Sequence, residues 1–142
     1  MKEGSLTMIV KRLALAAIIA HVLILSFHAA AHLILGVKAS PVQNLFIGVV
    51  IIIAPPLAGV LIWKGLSKLG AVLLASSMAG SLIFGVYNHY IGLSSDHVSQ
   101  VSLMSPAGWA NVFQITALLL AVTEVFGICA GILMLKGKLA RL

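Results

Sequence analysis

Long runs of apolar residues with few polar interruptions dominate this sequence. Four runs reach about the 20 residues that cross a bilayer as an α-helix, and they cover residues 9–37, 45–63, 69–91 and 106–135. Inside a bilayer the backbone must satisfy its own hydrogen bonds, so each run is predicted to be helical. The connections between the runs are short, which favours antiparallel neighbours. We therefore predict an all-α integral membrane protein, a single domain over residues 1–142 that forms an up-down bundle of four transmembrane helices.

Composition supports a membrane protein and narrows the function. Hydrophobic residues make up 61% of the chain and charged residues only 8%, whereas soluble domains carry roughly 25% charged residues. Lipid must therefore be part of the solvent.

The sequence has no serine–histidine–aspartate order, no glycine-rich phosphate loop and no pair of carboxylates for acid–base work, so we do not expect the isolated chain to be an enzyme. It also has no basic cluster with interleaved aromatic residues, so we do not expect nucleic-acid binding.

The distribution of basic residues predicts the orientation. With four spans, only Lys38 falls on one side, and the other eight of the nine basic residues share the opposite side: Lys2, Lys11, Arg12, Lys64, Lys68, Lys136, Lys138 and Arg141. The positive-inside rule then places both termini in the cytoplasm of a cytoplasmic-type membrane. The basic start followed by an apolar segment is also typical of a signal peptide, but the apolar run continues past the small residues, so we interpret it as a retained helix.

Two patterns predict how the helices pack. Pro55 and Pro56 fall near the middle of the second run and remove backbone donors there, so we expect a kink. Small residues recur at intervals of four in the third and fourth runs, a spacing that lets two helices approach closely in lipid. The predicted packing residues are Ser77, Ser81, Gly85, Gly127 and Gly131.

Three of the five histidines lie in the first run, although histidine is unfavourable in hydrocarbon. They are His21, His28 and His32. A helix turns about 100° per residue, so His28 returns to within about 20° of His21, and His32 adds about 40°. The three imidazoles therefore share one narrow stripe, which contact with lipid would penalise. We predict that this stripe faces the bundle interior or another protein.

The stripe supplies candidate ligands near the outer end of the bundle. His28 and His32 present two imidazole nitrogens on one face, as metal sites on helices require. The third run ends on the same side with His89, and the following loop adds Asp96 and His97. We predict a site for a metal ion (copper, zinc or iron) or for haem b, built from His28, His32 and His89, with His97 and Asp96 as further candidates.

A second polar group is predicted at mid-membrane. Glu124 is the one acidic residue inside the four runs, and it lies at nearly the same depth as His21. A carboxylate at that depth is costly unless it is protonated or paired, so we expect the two side chains to meet. Such a pair can relay protons, can support a metal ligand, or can only fix the helix register. Three amide side chains have the same candidate roles: Asn88, Asn111 and Gln114.

These residues leave three functions open. The favoured one is a small polytopic subunit of a larger redox or transport assembly, with a histidine-rich metal or haem site toward the outer face. The second is conduction of protons or a small cation along Glu124, His21, His28 and His32, because histidine titrates near neutral pH. The third is a purely structural subunit whose histidines hydrogen-bond across helices. The expected partners are the lipid bilayer and either other membrane subunits or further copies of the chain.

Overall fold

A computed structural model describes residues 3–139, with side chains from 8 to 137, and that part of the chain contains helices and turns but no strand. Six α-helices and two π-helical segments follow one another: α1 (Glu3–Leu35), α2 (Pro41–Phe46), a π-helical segment (Ile47–Ile53), α3 (Ala54–Trp63), α4 (Ser67–Val86), a second π-helical segment (Tyr87–Ile91), α5 (Val98–Val101) and α6 (Ala107–Leu139). Four stretches are long and apolar enough to cross a membrane, namely the first span (Met8–Leu35), the second (Pro41–Trp63), the third (Ser67–Ile91) and the fourth (Ala107–Gly137). The prediction of an all-helical chain with four helices of membrane-spanning length is confirmed.

The turn between the first two spans is set by local sequence. Gly36 adopts a positive φ of 68°, the left-handed conformation that favours glycine at a helix end. Ser40 then caps the next helix, because its side chain accepts a hydrogen bond from the Gln43 backbone while the Gln43 side chain accepts one from the Ser40 backbone. Pro41 occupies the first turn, where a missing N–H costs little. The second span therefore begins a few residues earlier than its apolar run.

The fourth span is the centre of the bundle, since it packs along both the first and the third spans. The second span packs mainly on the third and contacts the first chiefly through α3. Glycines allow the close approach of the third and fourth spans: a Cβ on Gly127 would lie 2.8 Å from Met78, and one on Gly131 would lie 2.9 Å from the Ala71 carbonyl oxygen. Gly85 has a different place, because a Cβ there would meet only His89 within 4 Å, at 3.9 Å.

Two apolar clusters form the core, one toward each end of the bundle. The cluster toward the chain termini contains Ala14, Ile18, Ala58, Ile62, Leu74, Met78 and Ala130. The cluster at the opposite end contains Ala31, Val37, Val101, Ala110 and Phe113. Buried polar side chains are also present, among them His21 and His28 of the first span. The polar groups are therefore inside a bundle whose outer surface is apolar.

Candidate metal centre

Three histidines converge at the end of the bundle away from the chain termini. His28 and His32 lie one turn apart on α1, and His89 comes from the π-helical end of the third span. One ring nitrogen of each lies within 4.8 Å of those of the other two. His28 and His89 are buried, and His32 is half-buried. The histidines of the first span thus meet a histidine of the third span.

The third span ends in a π-helical segment that contains the third histidine. Asn88 and His89 are both buried there. The π-turn is closed by the hydrogen bond from the Gly92 N–H to the Tyr87 carbonyl at 2.6 Å. Asn88 donates to the Phe84 carbonyl and accepts from Gln43, which joins the third span to the second. Short π-helical segments of this kind occur frequently at functional sites.

Thr116 determines which nitrogen of His28 is free. The Thr116 hydroxyl lies 2.6 Å from the Val112 carbonyl oxygen, which can only accept, so the hydroxyl proton is used there. The same oxygen lies 2.9 Å from His28 Nδ1 and must accept from it. In a neutral ring, Nε2 of His28 then carries a lone pair. Metal-ligating histidines are held in this way, with one ring N–H bonded to a fixed acceptor and the other nitrogen left for the metal.

His89 is oriented in the same manner by the loop that follows the third span. Its Nδ1 lies 3.1 Å from the backbone carbonyl oxygen of Asp96. Because a carbonyl only accepts, Nδ1 carries the proton and Nε2 of a neutral His89 has the lone pair. Two of the three imidazoles in the cluster therefore have a fixed tautomer that leaves Nε2 available.

The Asp96 carboxylate lies beside the three histidines. Its Oδ1 lies 3.3 Å from Nε2 of His32 and 3.4 Å from Nδ1 of His89. This oxygen is buried and has no hydrogen-bond partner of acceptable geometry. A buried carboxylate oxygen without a partner is energetically costly, and a bound cation would satisfy it.

Two distances in the cluster are close to those of a tetrahedral site. Ligand atoms about 2.0–2.1 Å from a zinc ion are about 3.3 Å from one another in a tetrahedron. The Nε2 atoms of His28 and His32 are 3.2 Å apart, and Nε2 of His32 is 3.3 Å from Oδ1 of Asp96. Two edges of the tetrahedron therefore already have the required length. Three imidazoles and one carboxylate are a ligand set that zinc and similar transition-metal ions accept.

The charge of Asp96 suits this role. Burial alone would raise the pKa of its carboxyl, but the close approach of His89 and the positive charge of protonated His89 and His32 lower it, and the net pKa lies below the ordinary value. Asp96 is therefore ionised at neutral pH and brings a full negative charge to the cluster.

Phe113 of the fourth span packs against all three imidazoles. Its ring centroid lies 4.6 Å from that of His28, 4.9 Å from that of His32 and 5.2 Å from that of His89. The three imidazole centroids are themselves 4.8 to 6.1 Å apart. Rings packed this closely leave no flat slot in which a porphyrin could lie between two axial histidines. The geometry suits a single ion better than haem.

One predicted ligand, His97, and two predicted relay or supporting residues, Asn111 and Gln114, lie outside the cluster. His97 caps the short helix α5 and bonds to Ser99 at 2.7 Å. Asn111 is exposed on the outside of the fourth span. Gln114 bonds to the Ala110 carbonyl of its own helix. Neither Thr116 nor Phe113 was identified from the sequence, although Phe113 lies eleven residues, or about three helical turns, before Glu124 and so on the same face.

Glu124 and His21 do approach each other at mid-span. Glu124 is 4% exposed and His21 is fully buried, and Oε1 of the acid lies 3.9 Å from Nδ1 of the ring. Ser81 of the third span donates a hydrogen bond to the same Oε1. Nε2 of His21 lies 3.3 Å from the Ile51 carbonyl oxygen, in the π-helical part of the second span. Ser77, the other buried serine of this face, bonds only within its own helix.

A cavity of about 570 Å³ connects the two polar groups. The histidine cluster and Asp96 line one end of it, where Lys38 and Ser94 form the mouth, while Glu124 and Ser81 line the other. Its walls are apolar between these ends: Leu25, Ile47, Ile51, Phe84 and Leu120.

Comparison of the chain with family models, with curated proteins and with solved structures found no match.

Proposed function

We propose that this chain is an integral membrane protein that binds one divalent transition-metal ion between His28, His32, His89 and Asp96. The observation that carries the proposal is the set of fixed tautomers: Thr116 and the Asp96 carbonyl accept hydrogen bonds from Nδ1–H of His28 and His89, so Nε2 of each neutral ring carries a lone pair that can bind a metal ion. The position of the Asp96 carboxylate, with Oδ1 3.3 Å from Nε2 of His32 and 3.4 Å from Nδ1 of His89, supports it. Zinc is the probe of choice, because it prefers nitrogen and oxygen ligands in a tetrahedron.

Zinc titration of the purified protein in detergent tests the site. We expect one ion per chain in the wild type, and a loss of affinity of more than about 100-fold in His28→Ala, His32→Ala and His89→Ala, because loss of a supporting residue alone typically costs 10- to 100-fold. The matched control is His97→Ala, a histidine near the cluster that bonds to Ser99 instead. Equal affinity in all four variants would refute the site, and circular dichroism checks that each variant is folded.

A structural subunit is the second candidate, and specific contacts favour it. Several polar side chains hydrogen-bond across spans, which stabilises helix association in lipid. These pairs are His28 with Thr116, Gln43 with Asn88, and His21 with the Ile51 carbonyl. If wild-type protein takes up neither zinc, copper nor iron, while the histidine variants lower its resistance to unfolding, this second function replaces the first.

We further propose that the chain is a subunit of a larger redox or transport assembly. Support comes from the four spans, which make up most of the residues that the structure describes. Native electrophoresis of solubilised membranes tests the proposal: migration with a much larger complex supports it, and migration as a monomer contradicts it. Migration as a dimer would favour the homo-oligomer instead.

Both termini are proposed to be cytoplasmic, with the histidine cluster toward the outer face. The positive-inside rule supports this orientation, although Lys2 and Arg141 lie outside the described residues. Cysteine labelling in a Cys129→Ala background tests it: a membrane-impermeant maleimide should label Ser102→Cys in intact cells and should label Lys64→Cys only after permeabilisation. The reverse pattern would overturn the orientation.

A bend in the second span near Pro55 and Pro56 is also part of the proposal. It is supported by the π-helical segment Ile47–Ile53, which ends directly before these prolines and widens the helix there. Such a bend would let the second span stand away from the first at the cavity while the two remain in contact along α3. Spin labels on Gln43 and Trp63 would report it as a shorter distance than a straight helix of that length requires.

A further inference from the structure

Glu124 lies at the floor of the cavity whose other end is formed by the histidine cluster. It is the one acidic residue within the four spans. The proposed metal site does not use it. A carboxyl group in apolar surroundings is energetically costly, and such residues are usually functional.

The hydrogen bonds around His21 leave one of its ring nitrogens facing Glu124 as an acceptor. The Ile51 carbonyl accepts from Nε2 of His21, so Nε2 carries the ring proton and Nδ1 has the lone pair. This Nδ1 is fully buried and has no hydrogen-bond partner, and it faces Oε1 of Glu124 at 3.9 Å. Two groups that both accept, buried and facing each other, need a proton between them. That proton is carried by the carboxyl group or by the ring.

We propose that Glu124 and His21 hold one exchangeable proton at the floor of the cavity, and that a divalent metal ion entering the histidine cluster drives this proton out through the same mouth. This inference rests on the proposed metal site. It adds a second ligand, the proton, whose binding is opposed to that of the metal.

Charge balance is the physical reason for the exchange. A divalent ion held by three neutral imidazoles and the Asp96 carboxylate carries a net charge of +1. Net charge in apolar surroundings is strongly unfavourable. Ionisation of Glu124 supplies the one further negative charge that the cavity can provide, and it makes the loaded site neutral. The bound ion and the shared proton therefore exclude each other.

The remaining titratable groups do not provide an alternative source of this charge. The first span brings His21, His28 and His32 toward the cavity, and the third brings His89 and Tyr90. The second span contains no ionisable side chain. Lys38 at the mouth is positive and would add to the charge. His21 and His28 are seven residues apart, or about 10 Å along the helix axis, a distance over which charges interact strongly in an apolar interior.

Protons released by metal binding provide the test. Protons given up by the four ligands themselves are released by wild type and by Glu124→Gln alike, so the difference between the two proteins counts the proton of Glu124. At about pH 6, wild-type protein in weakly buffered detergent solution, titrated with zinc in the presence of a pH indicator, should release about one proton per bound ion more than Glu124→Gln. Glu124→Gln should still bind one zinc ion. Glu124→Asp should restore the additional release, and Glu3→Gln, which alters an acid outside the spans, should behave as wild type.

The outcomes separate this inference from the proposed function. If wild-type protein binds no zinc, the metal site is wrong. If it binds zinc with no proton release at this pH, or if Glu124→Gln releases as much as wild type, the metal site stands and the proton exchange is wrong. The pH dependence of zinc affinity gives a second measurement: its slope should be steeper in wild type than in Glu124→Gln by about one proton. If Glu124→Gln does not fold, Glu124→Ala provides the same comparison with wild type.

Discussion

Thr116→Val, which replaces a hydroxyl by a methyl group of similar size, tests whether Thr116 orients His28 for metal binding. The substitution keeps the shape of the side chain and removes the oxygen that lies 2.9 Å from Nδ1 of His28. His28 Nδ1–H then has no acceptor at this position. The ring becomes free to rotate or to shift its proton to Nε2, the nitrogen that the proposed site needs.

The expected magnitude follows from the burial of this contact. Thr116 is 8% exposed and His28 is 5% exposed, so water cannot easily replace the lost acceptor. Leaving a buried donor without a partner costs about 1–3 kcal/mol, and loss of a supporting partner of a metal-bound histidine lowers affinity by about 10- to 100-fold. A 10- to 100-fold change corresponds to about 1.4–2.7 kcal/mol. The two ranges agree, so we expect zinc affinity to fall by about 10- to 100-fold.

Competition between the protein and a zinc-sensitive dye measures this change. The matched control is Thr123→Val, seven residues along the same span, where the hydroxyl bonds only to the Leu120 carbonyl of its own helix at 2.9 Å. Both variants lose a similar bond within the helix, but only one loses a contact with histidine. Equal affinity in the two variants would show that Thr116 does not orient a ligand, and the tautomer argument for the site would fail.

Two further predictions concern packing and pH. Gly131→Ala should lower the free energy of unfolding by about 1–3 kcal/mol, because its Cβ would lie 2.9 Å from the Ala71 carbonyl oxygen. Gly108→Ala, whose Cβ would meet nothing within 4 Å, should leave detergent-induced unfolding unchanged. Equal free energies of unfolding in the two variants would contradict the close approach of the helices. The pKa of Asp96 lies below its ordinary value in the folded protein, so its ionised form stabilises the fold above the ordinary pKa of aspartate, and this stabilisation is lost as the pH falls through the lowered value. Thermal unfolding of metal-free protein should therefore weaken more on acidification in wild type than in Asp96→Asn, and parallel pH profiles would refute the sign.

Local sequence patterns predict much of the architecture. Apolar runs of bilayer length fix the four spans, because a backbone in hydrocarbon has no alternative to helical hydrogen bonds. The helical period places His21, His28 and His32 on one face, and the cost of an imidazole in lipid predicts that this face is turned inward. The shared depth of His21 and Glu124 predicts that they meet, since depth follows directly from the rise of a helix.

The tertiary structure decided what no single helix can specify, namely which groups from different spans complete the site. The sequence predicts that His89 reaches this end of the bundle, but it does not predict the π-helical turn at Tyr87–Ile91, in which Asn88 and His89 are both buried. The path of the loop brings the carbonyl and carboxylate of Asp96 to the cluster and leaves His97 outside. The rotation of the fourth span turns Thr116 and Phe113 toward the histidines and Asn111 away. These choices depend on how the side chains of four helices pack against one another, and local periodicity carries no information about that packing.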